Sequence, residues 1–148
     1  MTLFEALSIA IEMHAGQVDK AGEPYIGHLV RVMMRLPADA TELERKTALL
    51  HDTLEDAGSY AQQVLVKLGA EPELMEMIEA MTCKAWEPYE AYLLRVAKSP
   101  AWRVKLADIA DNSDPDRLAK LDPVLALRLT VKYERAADII ARARLSLA

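Results

Sequence analysis

With 148 residues, 52% hydrophobic and 28% charged, the chain is long enough to bury one core and too apolar to remain disordered. Aromatic residues make up only 5%, so Ala, Leu, Met and Val carry the apolar content, which favours helices over strands. A net charge of −5 with no Lys/Arg stripe excludes a nucleic-acid partner, but an anionic small molecule is compatible if a metal supplies local positive charge.

Apolar positions Leu3, Phe4, Leu7, Ile9, Ala10, Ile11 and Met13 predict an amphipathic helix from Leu3 to His14. This N-terminus is too short and too acidic for a signal peptide or a membrane span, so no membrane partner is expected. AGQVDKAGE breaks the pattern, and Pro24 opens a second helix that ends at Pro37. Asp39 or Thr41 caps a third, expected to run unbroken through TELERKTALLHDTLEDA to Gly58. Further helices are expected from Ser59 to Leu68, from Pro72, from Pro88 to Pro100, and through AWRVKLADIADN. A last long helix starts at Pro123, capped by Asp122, and runs close to the end. No strand pattern, linker or repeat competes, which predicts an all-α, single-domain helical bundle over residues 1–148. The one cysteine, Cys83, forms no internal disulfide and fits a reducing, cytoplasmic compartment.

The stretch ALLHDTLEDAG, Ala48 to Gly58, sets four ionisable groups in an otherwise apolar helix. On a helix, His51 shares a face with Glu55, and Asp52 with Asp56. Adjacent residues diverge by about 100°, so His51 and Asp52 converge on one ion only if the helix meets it edge-on. Asp108 and Asn112 share a face in VKLADIADN, and His28 lies among apolar neighbours in PYIGHLVRV. Together His28, His51, Asp52 and Asp108 offer two nitrogens and two oxygens, a mixture suited to an octahedral Mn²⁺ or Fe²⁺. Spacing alone does not say that these helices meet. His51-Asp52 taken alone also reads as a chance pair, His28 as a packed core histidine, and Asp108 as a solvated charge.

HAGQVDKAGEPYIGH, ALLHDTLEDA and VKLADIADN resemble, in order and spacing, the hydrolase domain of RelA/SpoT homologues, within the HD-domain phosphohydrolases. The resemblance covers about Leu3 to Asn112, with blocks at 14–28, 48–58 and 104–112. It implies an all-helical HD domain holding one Mn²⁺ ion, with Fe²⁺ or another divalent metal as the alternative. By the same resemblance His28, His51, Asp52 and Asp108 are the metal ligands, and Glu55 and Asp56 the catalytic acidic pair. Asn112 resembles a nucleotide-contacting residue. The implied reaction removes pyrophosphate from the 3′ position of (p)ppGpp, giving GDP or GTP. Alternatives are hydrolysis of another nucleotide, NADPH-like for example, or a non-catalytic module that binds nucleotide or a partner protein.

Three segments depart from the family. An Arg-Lys-Ser run usual before GEPY is Asp19-Lys20-Ala21, so the arginine is missing and Asp19 is expected to repel an anionic ligand. DRLHN is DIADN, and the proline after the first ligand histidine is Leu29. Lys20 is a phosphate-binding candidate against a solvated loop lysine, with Lys84 and Arg103 behind it. Tyr25 reads as a packed ring or as part of the substrate cleft. His14 is expected to cap the first helix or orient a neighbour. The final helix either packs on the bundle or pairs with a second subunit as a homodimer. With no sequence beyond Ala148, a stand-alone hydrolase is expected.

Overall fold

The computed structural model describes residues 1–147, the side chains of Asp56 and Ala57 excepted. Among the described residues the chain forms helices and no strand: α1 (Leu3–Met13), α2 (Ile26–Arg35), α3 (Glu42–Leu50), α4 (Thr53–Lys67), α5 (Pro72–Met81), α6 (Tyr89–Lys98), α7 (Trp102–Asn112), α8 (Pro115–Leu118) and α9 (Pro123–Leu147). The all-α bundle is as expected. Thr2 and Thr41 close capping boxes with Glu5 and Glu44, so each start satisfies two otherwise free N–H groups. Asp122 Oδ1 accepts the N–H groups of Val124 and Leu125 at 3.0 and 3.2 Å, as its capping role predicts.

Two expectations need correction. The second helix begins at Ile26, not Pro24, because Pro24 pairs with Val18 in an isolated antiparallel bridge. Asp19 N–H donates to Glu23 O at 2.8 Å and Tyr25 N–H to Gln17 O at 2.9 Å, which closes a tight loop turning at Gly22 (φ 81°). The third predicted helix is two: α3 ends at Leu50, and α4 starts at Thr53 after a turn over His51 and Asp52. The expected interruption at Gly58 is present: at φ 52° and ψ −133° it is a non-helical kink that divides α4 into a short first segment and a second one running on to Lys67. The short α8 was not anticipated; Asp114 caps it through the N–H groups of Asp116 and Arg117, with Pro115 in its first turn.

Two buried clusters fill the bundle. Ala6, Ile9 and Ala10 of α1 meet Leu29, Leu49, Leu50, Leu65, Leu74 and Ile78. Val32, Met77, Met81, Tyr92, Leu93 and Val96 meet Val104, Ile109, Leu129, Tyr133, Ala136 and Ile140. Each fully buried large aliphatic contributes about 1.5–3 kcal/mol relative to exposure. The stripe Leu129, Tyr133, Ala136, Ile140 is one face of α9, and it packs on α6 and α7. Helix α2 lies against both α3 and α7, so residues on its inner face meet the α3–α4 turn and the middle of α7. No helix among the described residues is long and apolar enough to cross a membrane.

Candidate active site

Four side chains converge where α2, the α3–α4 turn and α7 meet. His28, His51 and Asp108 are 2%, 2% and 4% exposed. His28 Nε2 lies 3.3 Å from Asp108 Oδ1 and 3.8 Å from Asp52 Oδ2. His51 Nε2 lies 3.1 Å from Asp52 Oδ2 and 3.7 Å from Asp108 Oδ1. His51 and Asp52 both keep near-helical angles, φ −61°, ψ −31° and φ −92°, ψ −3°, and from the turn between α3 and α4 both side chains reach the same point.

Both imidazoles are fixed from behind. His28 Nδ1 donates to Asp111 Oδ2 at 2.8 Å, and His51 Nδ1 donates to the Ala48 carbonyl at 2.9 Å. Each Nε2 is therefore directed at the shared point, the outer-sphere arrangement that orients metal-binding histidines. His51 Nε2 is buried and makes no hydrogen bond of its own. Ligand atoms of His28, His51 and Asp52 all lie within 4.8 Å of one another. Two imidazole nitrogens, one of them buried and unsatisfied, and two carboxylate oxygens fit a divalent cation.

The charges around this point are tightly coupled. Burial pushes the Asp52 carboxyl up, but the His51 imidazolium and the Tyr25 hydroxyl, which donates to Oδ2 at 2.5 Å, leave it at about 2. Burial likewise opposes ionisation of Asp108, yet Lys105 Nζ at 2.7 Å and the two imidazoles hold it well below the carboxylate range. Asn112 donates to Asp108 Oδ1 at 2.6 Å. Desolvation depresses both imidazoles, and the facing carboxylates more than reverse this: His28 is raised and His51 well raised. Burial raises the Glu55 carboxyl; the Cys83 N–H, donating at 3.1 Å, works against the rise and the Asp52 charge adds to it.

A cavity of about 510 Å³ opens in front of the cluster. Lys20, Tyr25, Glu55 and Asn112 line it with His28, Asp52 and Asp108. Tyr25 is thus both packed, its ring 5.4 Å from that of His28, and exposed to the cleft. The Asp56 side chain lies outside the described residues. Lys84 and Arg103 do not line the cavity; Lys84 sits over the Trp86 ring and Arg103 pairs with Asp39 and Glu44. His14 orients a neighbour, its Nδ1 meeting Gln17 Oε1 at 2.6 Å.

Asp19 is engaged within the protein. Its Oδ2 meets Arg117 Nη2 at 2.9 Å, and its Oδ1 accepts the N–H groups of Ala21 and Glu23, so its charge is neutralised within the loop. Two residues escaped the sequence reading. Asp111 is fully buried, orients His28, and binds Arg31, Arg35 and Arg117 at 2.9, 3.2 and 2.9 Å. The spacing of His28, Arg31 and Arg35 along one face of α2 was the available signal. Lys105, three residues before Asp108, is the other.

No family model matches the chain. A guanosine-3′,5′-bis(diphosphate) 3′-pyrophosphohydrolase from Borreliella burgdorferi is 33% identical over 82 residues, which cover 55% of this chain and 12% of that protein. Its namesake from Aquifex aeolicus is 31% identical over 118 residues, 74% of this chain and 16% of that protein. The human guanosine-3′,5′-bis(diphosphate) 3′-pyrophosphohydrolase MESH1 is 34% identical over 117 residues, 72% of this chain and 64% of that protein. The chain is a relative of these pyrophosphohydrolases. It spans under a fifth of the length of the two bacterial enzymes and just under two thirds of the human one.

Proposed function

We propose that the protein is a divalent-metal-dependent phosphohydrolase that removes pyrophosphate from the 3′ position of (p)ppGpp, with Mn²⁺ as its ion, acting in the cytoplasm. The observation that carries this reading is the convergence of His28, His51, Asp52 and Asp108 on one buried point at the floor of a nucleotide-sized cavity. The similarity to named (p)ppGpp pyrophosphohydrolases supports the substrate. The lone thiol of Cys83 supports the compartment.

His28, His51, Asp52 and Asp108 would hold the ion. A bound divalent metal lowers the pKa of its water and polarises a phosphoryl oxygen. The remaining roles belong to the chain. Glu55, its carboxyl raised toward neutrality, takes the proton of the attacking water and returns one to the ribose 3′ oxygen as the phosphorus–oxygen bond breaks. Asp56 is proposed as its partner on the family resemblance alone. Tyr25 holds Asp52 in place, and Asn112 holds Asp108. Lys20 contacts substrate phosphate from the loop.

A second reading, hydrolysis of another nucleotide, is favoured by one observation. Asp19 stands where the family carries arginine, and Arg117 and a tight loop turn engage it, so the loop brings only Lys20 as a cation to the cavity. The test is chelator-stripped protein reloaded with Mn²⁺ and offered ppGpp, GTP, ATP and NADPH, with Asp52→Ala in parallel. Pyrophosphate and GDP from ppGpp, absent in the variant, are the expected products. Cleavage of a different nucleotide selects the second reading, and no turnover of any rejects both.

A further inference from the structure

Of the four Lys and Arg side chains lining the cavity, two are already matched. Lys105 is bound to Asp108, and Arg117 to Asp111 and Asp19. Two are not: among the described residues neither Lys20 nor Lys132 forms an ion pair, yet both line the cavity. Lys20 comes from the loop before α2. Lys132 comes from α9, outside all three motif blocks.

The Lys132 ammonium lies over the rings of Tyr89 and Tyr133, with Nζ 4.8 and 5.3 Å from their centroids, and both tyrosines also line the cavity. The rings restrict a side chain that would otherwise range through solvent. Burial, and after it the charges of Lys20 and Lys105, lowers its pKa, so these ammonium groups repel one another across the same space. In a chain of net charge −5, two unmatched lysines at one cavity have a specific use.

We infer that Lys132, together with Lys20, forms a phosphate subsite separate from the histidine–aspartate cluster, and that it selects nucleotides phosphorylated at two positions. One phosphate group lies at the cluster and is cleaved; the other is held by Lys132 and Lys20. This rests on the hydrolase reading for the position of the cleaved group. It also explains how the cavity binds a ligand phosphorylated at two positions without the loop arginine: the second cation comes from α9 instead.

The experiment compares Lys132→Ala and Lys132→Arg with the parent, all Mn²⁺-loaded. Binding is measured by calorimetry in a Glu55→Gln background, with guanosine 3′,5′-bisphosphate and guanosine 3′-monophosphate as probes. Lys132→Ala should weaken the bisphosphate about tenfold and the monophosphate less than about twofold, and Lys132→Arg should restore most of the loss. With Glu55 intact, the KM for ppGpp should rise by a similar factor while kcat changes less than about threefold. Equal weakening of both probes, or weakening of neither, overturns the subsite. Failure of the parent to cleave ppGpp, with bisphosphate binding still dependent on Lys132, rejects the hydrolase reading and supports the subsite. Cleavage of ppGpp with an unchanged KM in Lys132→Ala does the reverse.

Discussion

His28 and Lys132 line the same cavity, but His28 is 2% exposed and its ring is fixed through Nδ1 by Asp111, whereas Lys132 is exposed and meets only two aromatic faces. The same contrast separates the two groups they belong to. The cluster is built from side chains each held by a second partner: His51 by the Ala48 carbonyl, Asp52 by Tyr25, Asp108 by Lys105 and Asn112. The lysines have no such partner among the described residues. A site that handles bond breaking needs its groups preorganised within a fraction of an ångström, while one that recognises a phosphate by charge tolerates a flexible stem. Substitutions should therefore separate the two groups: at the cluster they should disturb stability and metal affinity, and at the lysines only substrate affinity.

The largest effect is expected from Asp108→Ala. It removes a cluster carboxylate and strands the buried Lys105 ammonium, so chemical denaturation should show a loss of about 3–5 kcal/mol as well as lost metal binding. Unchanged stability would mean Lys105 finds water and the cluster is less dry than it is drawn here. Glu55→Gln comes next: turnover should fall about 100-fold or more with Mn²⁺ affinity retained, as steady-state kinetics and a metal titration would read. Asp111→Asn keeps the shape but removes the charge shared by His28 and three arginines, and should weaken metal binding roughly 10- to 100-fold.

The pH dependence has opposite signs for the metal-free and metal-bound protein. His28 and His51 have raised pKa values in the metal-free fold. Their imidazolium forms stabilise that fold fully below the unfolded value of about 6.5, and this contribution is lost as pH rises through the raised values. A cation requires the neutral rings, so metal affinity should fall as pH drops, by up to about tenfold per unit for each imidazole displaced. Calorimetry in buffers of different ionisation enthalpy would count the protons released. The smallest effect is expected at Lys20→Ala, a rise of only a few-fold in the KM for ppGpp with no change in melting temperature, since the residue is exposed and makes no ion pair among the described residues.

Much of this was legible in the sequence. Prolines and capping residues marked the helix ends because their chemistry is local: Thr41 with Glu44, Pro72 in the first turn of α5, Asp122 before α9. The cluster itself was readable only through the family resemblance of three blocks, since His28 and Asp108 are 80 residues apart and nothing in their spacing brings α2 to α7. The break at His51 and Asp52 was hidden because both residues keep near-helical angles, and ALLHDTLEDA has no glycine or proline before its end. Asp111 was hidden for a different reason. A charge three residues after Asp108 looks solvated until Arg31 and Arg35, from another helix, are seen to close over it. The partner of Asp19 was hidden in the same way, because Arg117 lies 98 residues along the chain. Asp114-Pro115 did carry a local signal for α8, an N-cap followed by a first-turn proline.

The central claim is that His28, His51, Asp52 and Asp108 form one divalent-metal site, and electron paramagnetic resonance titration of Mn²⁺ into the chelator-stripped protein tests it most directly. The account predicts one tight site per chain, abolished in His51→Ala while the circular dichroism spectrum stays helical. Tight binding that survives His51→Ala, or no tight binding in the parent protein, would contradict it.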